Sequence, residues 1–157
     1  MEREVKYMLE AIALSKKAIE LNEGGPFGCI IVKNDIIVGS GNNRVIIDND
    51  PTAHAEVVAI RNACKNIGAF HLDDCELFSS CEPCPMCLGA IYWARPKQIY
   101  YANSRDDAAA IGFDDSMIYQ EMSADIMSRK IPMVNLCRHE AFAIFKSWVE
   151  KNDKTLY

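Results

Sequence analysis

The spacing of hydrophobic residues predicts the first element of the chain, an amphipathic helix over residues 3–21. Apolar side chains recur there every three or four residues, and charged residues occupy the opposite face. The apolar positions are Val5, Met8, Leu9, Ile12 and Ile19. Asn22 and the run Gly24-Gly25-Pro26 are predicted to end the helix. The chain therefore begins with a helix that has one face to bury.

Two runs rich in β-forming residues follow, Phe27–Lys33 and Ile36–Ser40. The Asn34-Asp35 pair between them is typical of a hairpin turn. Residues 44–50 are predicted to form a loop. A second helix is predicted to start from an N-cap at Thr52 and to run to about residue 66.

The next segment alternates strand, helix and strand, at residues 75–79, 84–94 and 98–102. This order predicts two parallel strands joined by a crossover helix. Residues 103–115 are predicted to form a loop, and residues 116–129 are predicted to be partly helical.

The end of the chain predicts a fifth strand over Met133–Cys137 and a last amphipathic helix over Glu140–Lys151. Together these elements predict an α/β fold, a three-layer α/β/α sandwich around a mixed five-stranded sheet. The two helices that carry the motifs described below are expected on one side of that sheet. Residues 1–157 are expected to form a single domain.

Composition narrows the class of protein. Half of the 157 residues are hydrophobic, which favours a folded domain with a substantial core. The net charge is −5 and no basic block occurs, whereas proteins that grip polynucleotides usually have a basic stripe. We therefore expect a small neutral substrate, no nucleic-acid partner and no membrane. Seven cysteines without a signal peptide or a long apolar run indicate the cytoplasm.

The most informative motif is Cys84-x-x-Cys87, read together with His54 upstream. The spacing puts two sulfurs one helical turn apart on one face, so both can bind the same ion. Pro83 is expected at the start of the helix, where a missing N–H costs nothing and the helix terminus favours thiolates. Three protein ligands with a fourth position left for water are the pattern of a catalytic zinc.

Glu56 lies two residues after His54, so on a helix it points away from the imidazole and makes a poor fourth ligand. It could instead reach over the metal-activated water and carry protons. A His-x-Glu followed by Pro-Cys-x-x-Cys is the signature of zinc-dependent nucleobase deaminases. This match predicts a hydrolytic zinc site.

The cysteines allow three other interpretations. Cys81 could close a four-ligand structural zinc site, the hallmark of a zinc-stabilised binding module, and the thiols could also be plain core residues. A bacterial iron–sulfur motif would need a cysteine and a proline at positions 91 and 92, which are Ile91 and Tyr92. The cluster interpretation therefore fails.

These motifs extend into a resemblance that covers nearly the whole chain. The sequence resembles the cytidine deaminase-like superfamily, and more closely the bacterial guanine deaminases. The most specific stretches are Gly25-Pro26-Phe27-Gly28, Asn49 to Glu56, Ser80 to Lys97 and Gly112-Phe113-Asp114-Asp115-Ser116.

The resemblance implies zinc-dependent hydrolysis of guanine to xanthine and ammonia. It implies a zinc ion on His54, Cys84 and Cys87, with Glu56 as the proton shuttle and Asp115 as a second acid. Asn43 and the backbone of Ala55 are implied to bind polar edges of the base, and Phe27 and Trp93 to line the pocket. It also implies a homodimer whose tail, residues 152–157, crosses to the partner and lays Tyr157 over the active site.

Ordinary structural roles remain open for several of these residues. Asp115 could cap a helix, Asn43 could serve a turn, Trp93 could be a core residue, and Tyr157 could be a frayed end. A tRNA adenosine deaminase and a cytosine or pyrimidine deaminase are the alternative enzymes with the same zinc motif.

Overall fold

The computed structural model describes residues 1–157 and divides them into two compact units, Met1–Asp115 and Ser116–Tyr157. The single-domain organisation stays a prediction, and each unit is described by itself. None of the helices is both long enough and apolar enough to cross a lipid bilayer.

The first unit contains five helices and four strands. In chain order they are α1 (Glu2–Glu20), β1 (Gly28–Lys33), β2 (Ile36–Asn42), α2 (Val45–Asp48), α3 (Ala55–Ile67), β3 (Glu76–Cys81), α4 (Pro85–Ala94), β4 (Gln98–Asn103) and α5 (Arg105–Ala110). The second unit contains α6 (Ser116–Ser123), a 3₁₀ turn (Ile126–Ser128) and α7 (Arg138–Glu150).

The four strands form one mixed sheet in the order β2-β1-β3-β4. Strand β1 pairs antiparallel with both β2 and β3, and β3 pairs parallel with β4. The predicted hairpin is confirmed, with Asn34 and Asp35 at φ values of 49° and 62°. Two consecutive positive φ angles are the geometry of the turn that matches strand twist. The parallel pair joined by α4 is also confirmed.

Alternate residues of β1 build two hydrophobic layers on opposite faces of the sheet. On one face Ile30 packs with Tyr7 and Ala11 of α1. On the other face Ile31 packs with residues of α3 and α4, among them Ala59. The three-layer arrangement is therefore confirmed, with both motif-bearing helices on the same side.

Glycine lets α3 lie directly against the sheet. A Cβ built on Gly41 of β2 would come within 2.5 Å of the Ala55 carbonyl oxygen, closer than atoms can approach. The start of α3, which carries His54 and Glu56, is thus held close to the strand that leads into Asn43.

The sheet has four strands and not the predicted five, because residues 133–137 form no ladder. β-forming side chains predict a strand only where a partner edge is available, and Cys137 leaves extended geometry at φ 53°. Two predicted loops are also partly helical. Residues 45–48 form α2, and residues 105–110 form α5 behind a Ser104–Asp107 capping box.

Candidate zinc and active site

Three predicted ligand atoms lie together at the starts of two helices. His54 is the N-cap of α3, Cys84 is the N-cap of α4, and Cys87 lies within the first turn of α4. The His54 Nδ1 atom is 3.6 Å from Cys84 Sγ and 3.5 Å from Cys87 Sγ. All three ligand atoms lie within 4.8 Å of one another.

Helix α3 begins two residues later than predicted. The backbone N–H and the hydroxyl of Thr52 both donate to Asp50 Oδ1, at 2.8 and 2.7 Å. Because the Thr52 hydroxyl is bonded to Asp50 in this local turn, Thr52 does not cap the helix. His54 therefore takes the N-cap position in extended geometry, at φ −70° and ψ 155°, and Glu56 lies in the first turn.

Helix α4 begins at Pro85, so the prediction of Pro83 at the helix start is wrong. A residue that precedes proline is disfavoured in helical geometry. Cys84 accordingly adopts φ −65° and ψ 168° as the N-cap, and Pro85 takes the first helical position. The two sulfurs still lie at the amino-terminal end of the helix, where its dipole favours negative charge.

The spacing of the three atoms fits zinc. Bonds of about 2.3 Å to sulfur and about 2.0 Å to nitrogen at tetrahedral angles put a nitrogen and a sulfur ligand about 3.5 Å apart. The two measured distances match that value. Cys81 is not part of the group, and its thiol donates to the Ser104 carbonyl at 3.5 Å. The cluster therefore offers three protein ligands.

The electrostatics of the two thiols favour one shared negative charge without metal. A hydrogen bond from Cys87, together with one from His54, lowers the pKa of Cys84 to about 4. The pKa of Cys87 is raised, mainly because its thiol donates to Cys84 and because it is buried. The pKa of His54 is raised, chiefly by its hydrogen bond to Cys84. A zinc ion would take the place of the bound protons.

Glu56 is buried beside this cluster, with 6 % of its surface exposed. Its Oε1 atom accepts a hydrogen bond of 3.1 Å from the Ser79 hydroxyl, and Cys87 lies within hydrogen-bonding reach. Burial raises the pKa of this carboxyl group. A carboxyl group with a raised pKa in a cleft is suited to take up and release protons.

Asp115 lies half-buried at the end of the first unit. Its pKa is raised, first by burial and then by the negative charge of Cys84. Because the charge of Cys84 contributes to this shift in pKa, the Asp115 carboxyl group lies close enough to the ligand cluster to interact with it electrostatically.

Asn43 is almost fully buried, with 4 % exposure. Its Oδ1 atom accepts from the backbone N–H groups of Gly25 and Val45, at 3.3 and 3.2 Å. These two bonds fix the amide so that its nitrogen remains a donor. Ala55, fully buried, is the first residue of α3. The first N–H groups of a helix have no partner within it and can bind acceptors.

Phe27 is half-buried and meets Phe113 edge-to-face, with ring centroids 4.9 Å apart and planes at 90°. The sequence analysis does not name Phe113 as a site residue. Its position two residues before Asp115, in the run Gly112 to Ser116, could have indicated a role at the site. Ser79 was also missed, and its signal was a hydroxyl in a buried strand otherwise rich in apolar residues.

Two of the predicted pocket residues, Trp93 and Tyr157, are largely exposed in the single chain. Trp93 is 71 % exposed at the far end of α4 from Cys84, roughly 13 Å along the helix axis. Tyr157 belongs to the second unit and is 75 % exposed. Their contact with substrate stays a prediction.

Comparison with known proteins identifies this arrangement. The family described as "Cytidine and deoxycytidylate deaminase zinc-binding region" matches residues 1–103, which include all three predicted ligands and Glu56. The chain belongs to this deaminase family. Its membership confirms the predicted cytidine deaminase-like fold class and the zinc-binding character of the site.

Within the deaminase family, the similarity to one relative covers nearly the whole chain. Guanine deaminase from Bacillus subtilis is 50% identical over 151 residues, 96% of this chain and 97% of the relative. The X-ray structure of guanine deaminase from Bacillus subtilis superposes with a TM-score of 0.94 at 49% identity, covering 97% of each chain.

Other members of the family match over less of their length. The tRNA-specific adenosine deaminase of Haemophilus influenzae is 41% identical over 120 residues, 73% of this chain and 69% of the relative. The structure of guanine deaminase from Nitrosomonas europaea has a TM-score of 0.67 at 32% identity, covering 70% of this chain and 64% of that one. Among these three, the Bacillus protein is matched over the largest share of this chain.

Proposed function

We propose that this deaminase hydrolyses guanine to xanthine and ammonia. The proposal is supported by the similarity to guanine deaminase from Bacillus subtilis, which spans 96% of this chain and therefore most of the second unit. The site supplies the chemistry that such a reaction needs, a zinc-ligand cluster next to a buried carboxyl group.

Zinc is the cofactor, and His54, Cys84 and Cys87 would hold it. When bound, zinc supplies Lewis acidity that makes water a nucleophile near neutral pH. Because three protein ligands would leave one zinc position for water, the site suits hydrolysis better than a purely structural role.

Glu56 is the proposed proton carrier. Replacing the amino group at C2 of guanine by oxygen requires that a proton leave the attacking water, that N3 be protonated, and that the amine be protonated before it departs. A buried carboxyl group next to the ligands can accept the first proton and deliver it to N3. Asp115, half-buried and within range of Cys84, is proposed to assist at the departing amine.

Base recognition is proposed for residues around the start of α3. The oriented amide nitrogen of Asn43 can donate to the carbonyl oxygen of guanine, and the N–H of Ala55 can donate to another acceptor on the base edge. The ring of Phe27, held edge-on by Phe113, offers an apolar surface for the flat base.

A tRNA adenosine deaminase is the second candidate, because the Haemophilus influenzae enzyme is 41% identical over most of this chain. A net charge of −5 is unfavourable for binding a polyanion. The extent of the similarity to the Bacillus protein also favours the purine base over tRNA.

A substrate panel tests the function. Zinc-loaded protein is incubated with guanine, guanosine, cytosine, adenine and a tRNA anticodon stem-loop, and ammonia release is measured for each. We expect guanine to react fastest, with xanthine as the product. Faster reaction of the stem-loop would favour the second candidate, and reaction only with cytosine would favour a pyrimidine deaminase.

We also propose that the protein is a homodimer in which the carboxyl-terminal tail, residues 152–157, crosses to the partner. Helix α7 supports this, since Phe142, Phe145 and Val149 form an exposed stripe at helical spacing. Tyr101 on the edge strand β4 also lies beside an open groove of about 590 Å³. A second copy of the chain would bury apolar surfaces of this kind.

Sedimentation velocity tests the dimer. Phe145→Glu puts a charge into the stripe and is expected to shift the protein from dimer to monomer at micromolar concentration. Ser147→Glu adds the same charge about 200° around the same helix and should leave the dimer intact. A monomeric wild type, or equal sedimentation of both variants, would overturn the dimer proposal.

The cytoplasm is proposed as the place of action. All seven cysteines are free, including the exposed Cys137. Free thiols persist in a reducing compartment. Fractionation of the producing cells would test this, and recovery with the exported proteins would contradict it.

A further inference from the structure

Ser79 is a buried hydroxyl on the face of the sheet that supports the site. Side chains alternate along β3, so Leu77 and Ser79 face α3 and α4 while Phe78 and Ser80 face α1. Ser79 has only 2 % of its surface exposed. It is a polar residue on a strand face that otherwise packs into the hydrophobic layer.

The partner of this hydroxyl is the carboxyl group of Glu56. The Oγ atom of Ser79 donates to Oε1 at a distance of 3.1 Å, and both groups are buried. Strand β3 is internal to the sheet, and Ser79 is paired with Cys29 on one side and with Tyr101 on the other. The Ser79 hydroxyl is therefore carried by a strand that is hydrogen-bonded on both sides.

We propose that Ser79 is a positioning residue for Glu56. By holding Oε1 it fixes the carboxyl plane, so that the other oxygen is presented to water and substrate in one orientation. A glutamate side chain has three rotatable bonds, and holding a catalytic group in its productive geometry contributes directly to rate. The inference rests on the proposed function, since it acts through the proton transfers assigned to Glu56.

The neighbouring Ser80 shows what a merely structural serine looks like. It is equally buried, at 3 % exposure, but lies on the opposite face of the sheet. Its Oγ atom accepts the backbone N–H of Gly28 at 2.9 Å and so satisfies a backbone donor. Two adjacent serines of the same strand thus have different partners, a backbone amide and the proton carrier.

Kinetics of Ser79→Ala and Ser80→Ala test the proposal, with zinc content and the unfolding midpoint measured for each. Ser79→Ala is expected to lower kcat about tenfold with KM changed less than about twofold and zinc content unchanged. Ser80→Ala is expected to keep kcat within about twofold of wild type while lowering the unfolding midpoint, because the Gly28 N–H loses its buried acceptor.

A second pair of variants separates the hydroxyl from its volume. Threonine and valine have nearly the same shape, and only threonine can donate to Glu56. Ser79→Thr is expected to have a kcat at least about fivefold above that of Ser79→Val. Equal kcat values for this pair, or a Ser79→Ala enzyme with wild-type kcat, would overturn the positioning role.

The assays use whichever base the wild-type enzyme deaminates fastest, so that the two proposals can fail separately. Turnover of another base with the expected loss in Ser79→Ala would overturn guanine as substrate and support the role of Ser79. If guanine is the base deaminated and Ser79→Ala leaves kcat unchanged, guanine as substrate would be supported and the role of Ser79 overturned. Absence of any turnover by zinc-loaded wild type would overturn both.

Discussion

The two units of the chain differ in how they use hydrophobic residues. Every buried residue lies in the first unit, at or before Ala94. The second unit, Ser116–Tyr157, has none, although its helix α7 carries Phe145 and Trp148, which are 69 % and 42 % exposed. Burial of apolar surface is the main favourable term in folding. The first unit therefore contains its own core, whereas the apolar faces of the second need a further surface.

The three predicted zinc ligands and Glu56 all belong to the first unit, which has its own core. His54, Cys84 and Cys87 are carried by two helix N-caps that pack over the central strands. A metal site needs ligands held within a few tenths of an ångström, which a packed helix pair can provide. We therefore expect zinc binding and proton transfer to depend on residues of the first unit, and dimer formation to depend on the second unit.

Cys84→Ala should have the largest effect. With two protein ligands left, zinc content is expected to fall close to zero and activity to the buffer background, and the start of α4 should lose order. Cys137→Ala removes an exposed thiol from the second unit and should keep both zinc and activity. Zinc analysis and ammonia release check both variants, and zinc retained in Cys84→Ala would contradict the ligand assignment.

Glu56→Gln should lower kcat by about 10²- to 10⁴-fold with zinc retained, because the amide cannot carry protons. Glu140→Gln makes the same change in the first turn of α7 and should have wild-type kcat. Steady-state kinetics with metal analysis decide the matter. A fully active, zinc-loaded Glu56→Gln enzyme would remove Glu56 from the mechanism.

Ile31→Ala and Ile144→Ala compare the two units directly. Ile31 is fully buried, and its truncation is expected to lower the free energy of unfolding by about 2–5 kcal/mol. Ile144 is 68 % exposed in the single chain, and its truncation should change the stability of dilute protein by less than about 0.5 kcal/mol. Urea unfolding measures both, and equal losses would contradict the contrast between the units.

The smallest expected effect is a difference in thiol reactivity. In zinc-free protein the pKa of Cys84 is lowered to about 4, so above pH 4 its thiolate form dominates. Burial raises the pKa of Cys75, so it stays protonated. At pH 6 iodoacetamide should therefore label Cys84 about tenfold faster than Cys75, as read by peptide mass spectrometry, and added zinc should remove the difference. Equal labelling without zinc would contradict the shared-charge arrangement.

Several features of the first unit could be predicted from local sequence patterns. The Asn34-Asp35 turn, the parallel strand pair and the ligand set all follow from spacing and turn chemistry. The prediction of Pro83 at the start of α4 was wrong for a local reason, since the residue before Pro85 avoids helical geometry and Cys84 is therefore the N-cap. The Thr52 error has a local cause as well, because Asp50 two residues earlier competes for its hydroxyl.

Other features depend on contacts that sequence spacing does not contain. Residues 133–137 have strand-forming side chains, yet a strand exists only with a hydrogen-bonded neighbour. The contact between Ser79 and Glu56 joins residues 23 positions apart in the sequence. It depends on the packing of α3 against β3, which local sequence patterns do not specify. Local propensity could not supply either result.

We expect the first unit to hold one zinc ion on three protein ligands, with a fourth position for water. Zinc X-ray absorption on the wild-type protein tests this most directly. The expected first shell contains two sulfurs, one imidazole nitrogen and one oxygen. A shell of four protein ligands, with a third sulfur in place of the oxygen, would contradict a hydrolytic site.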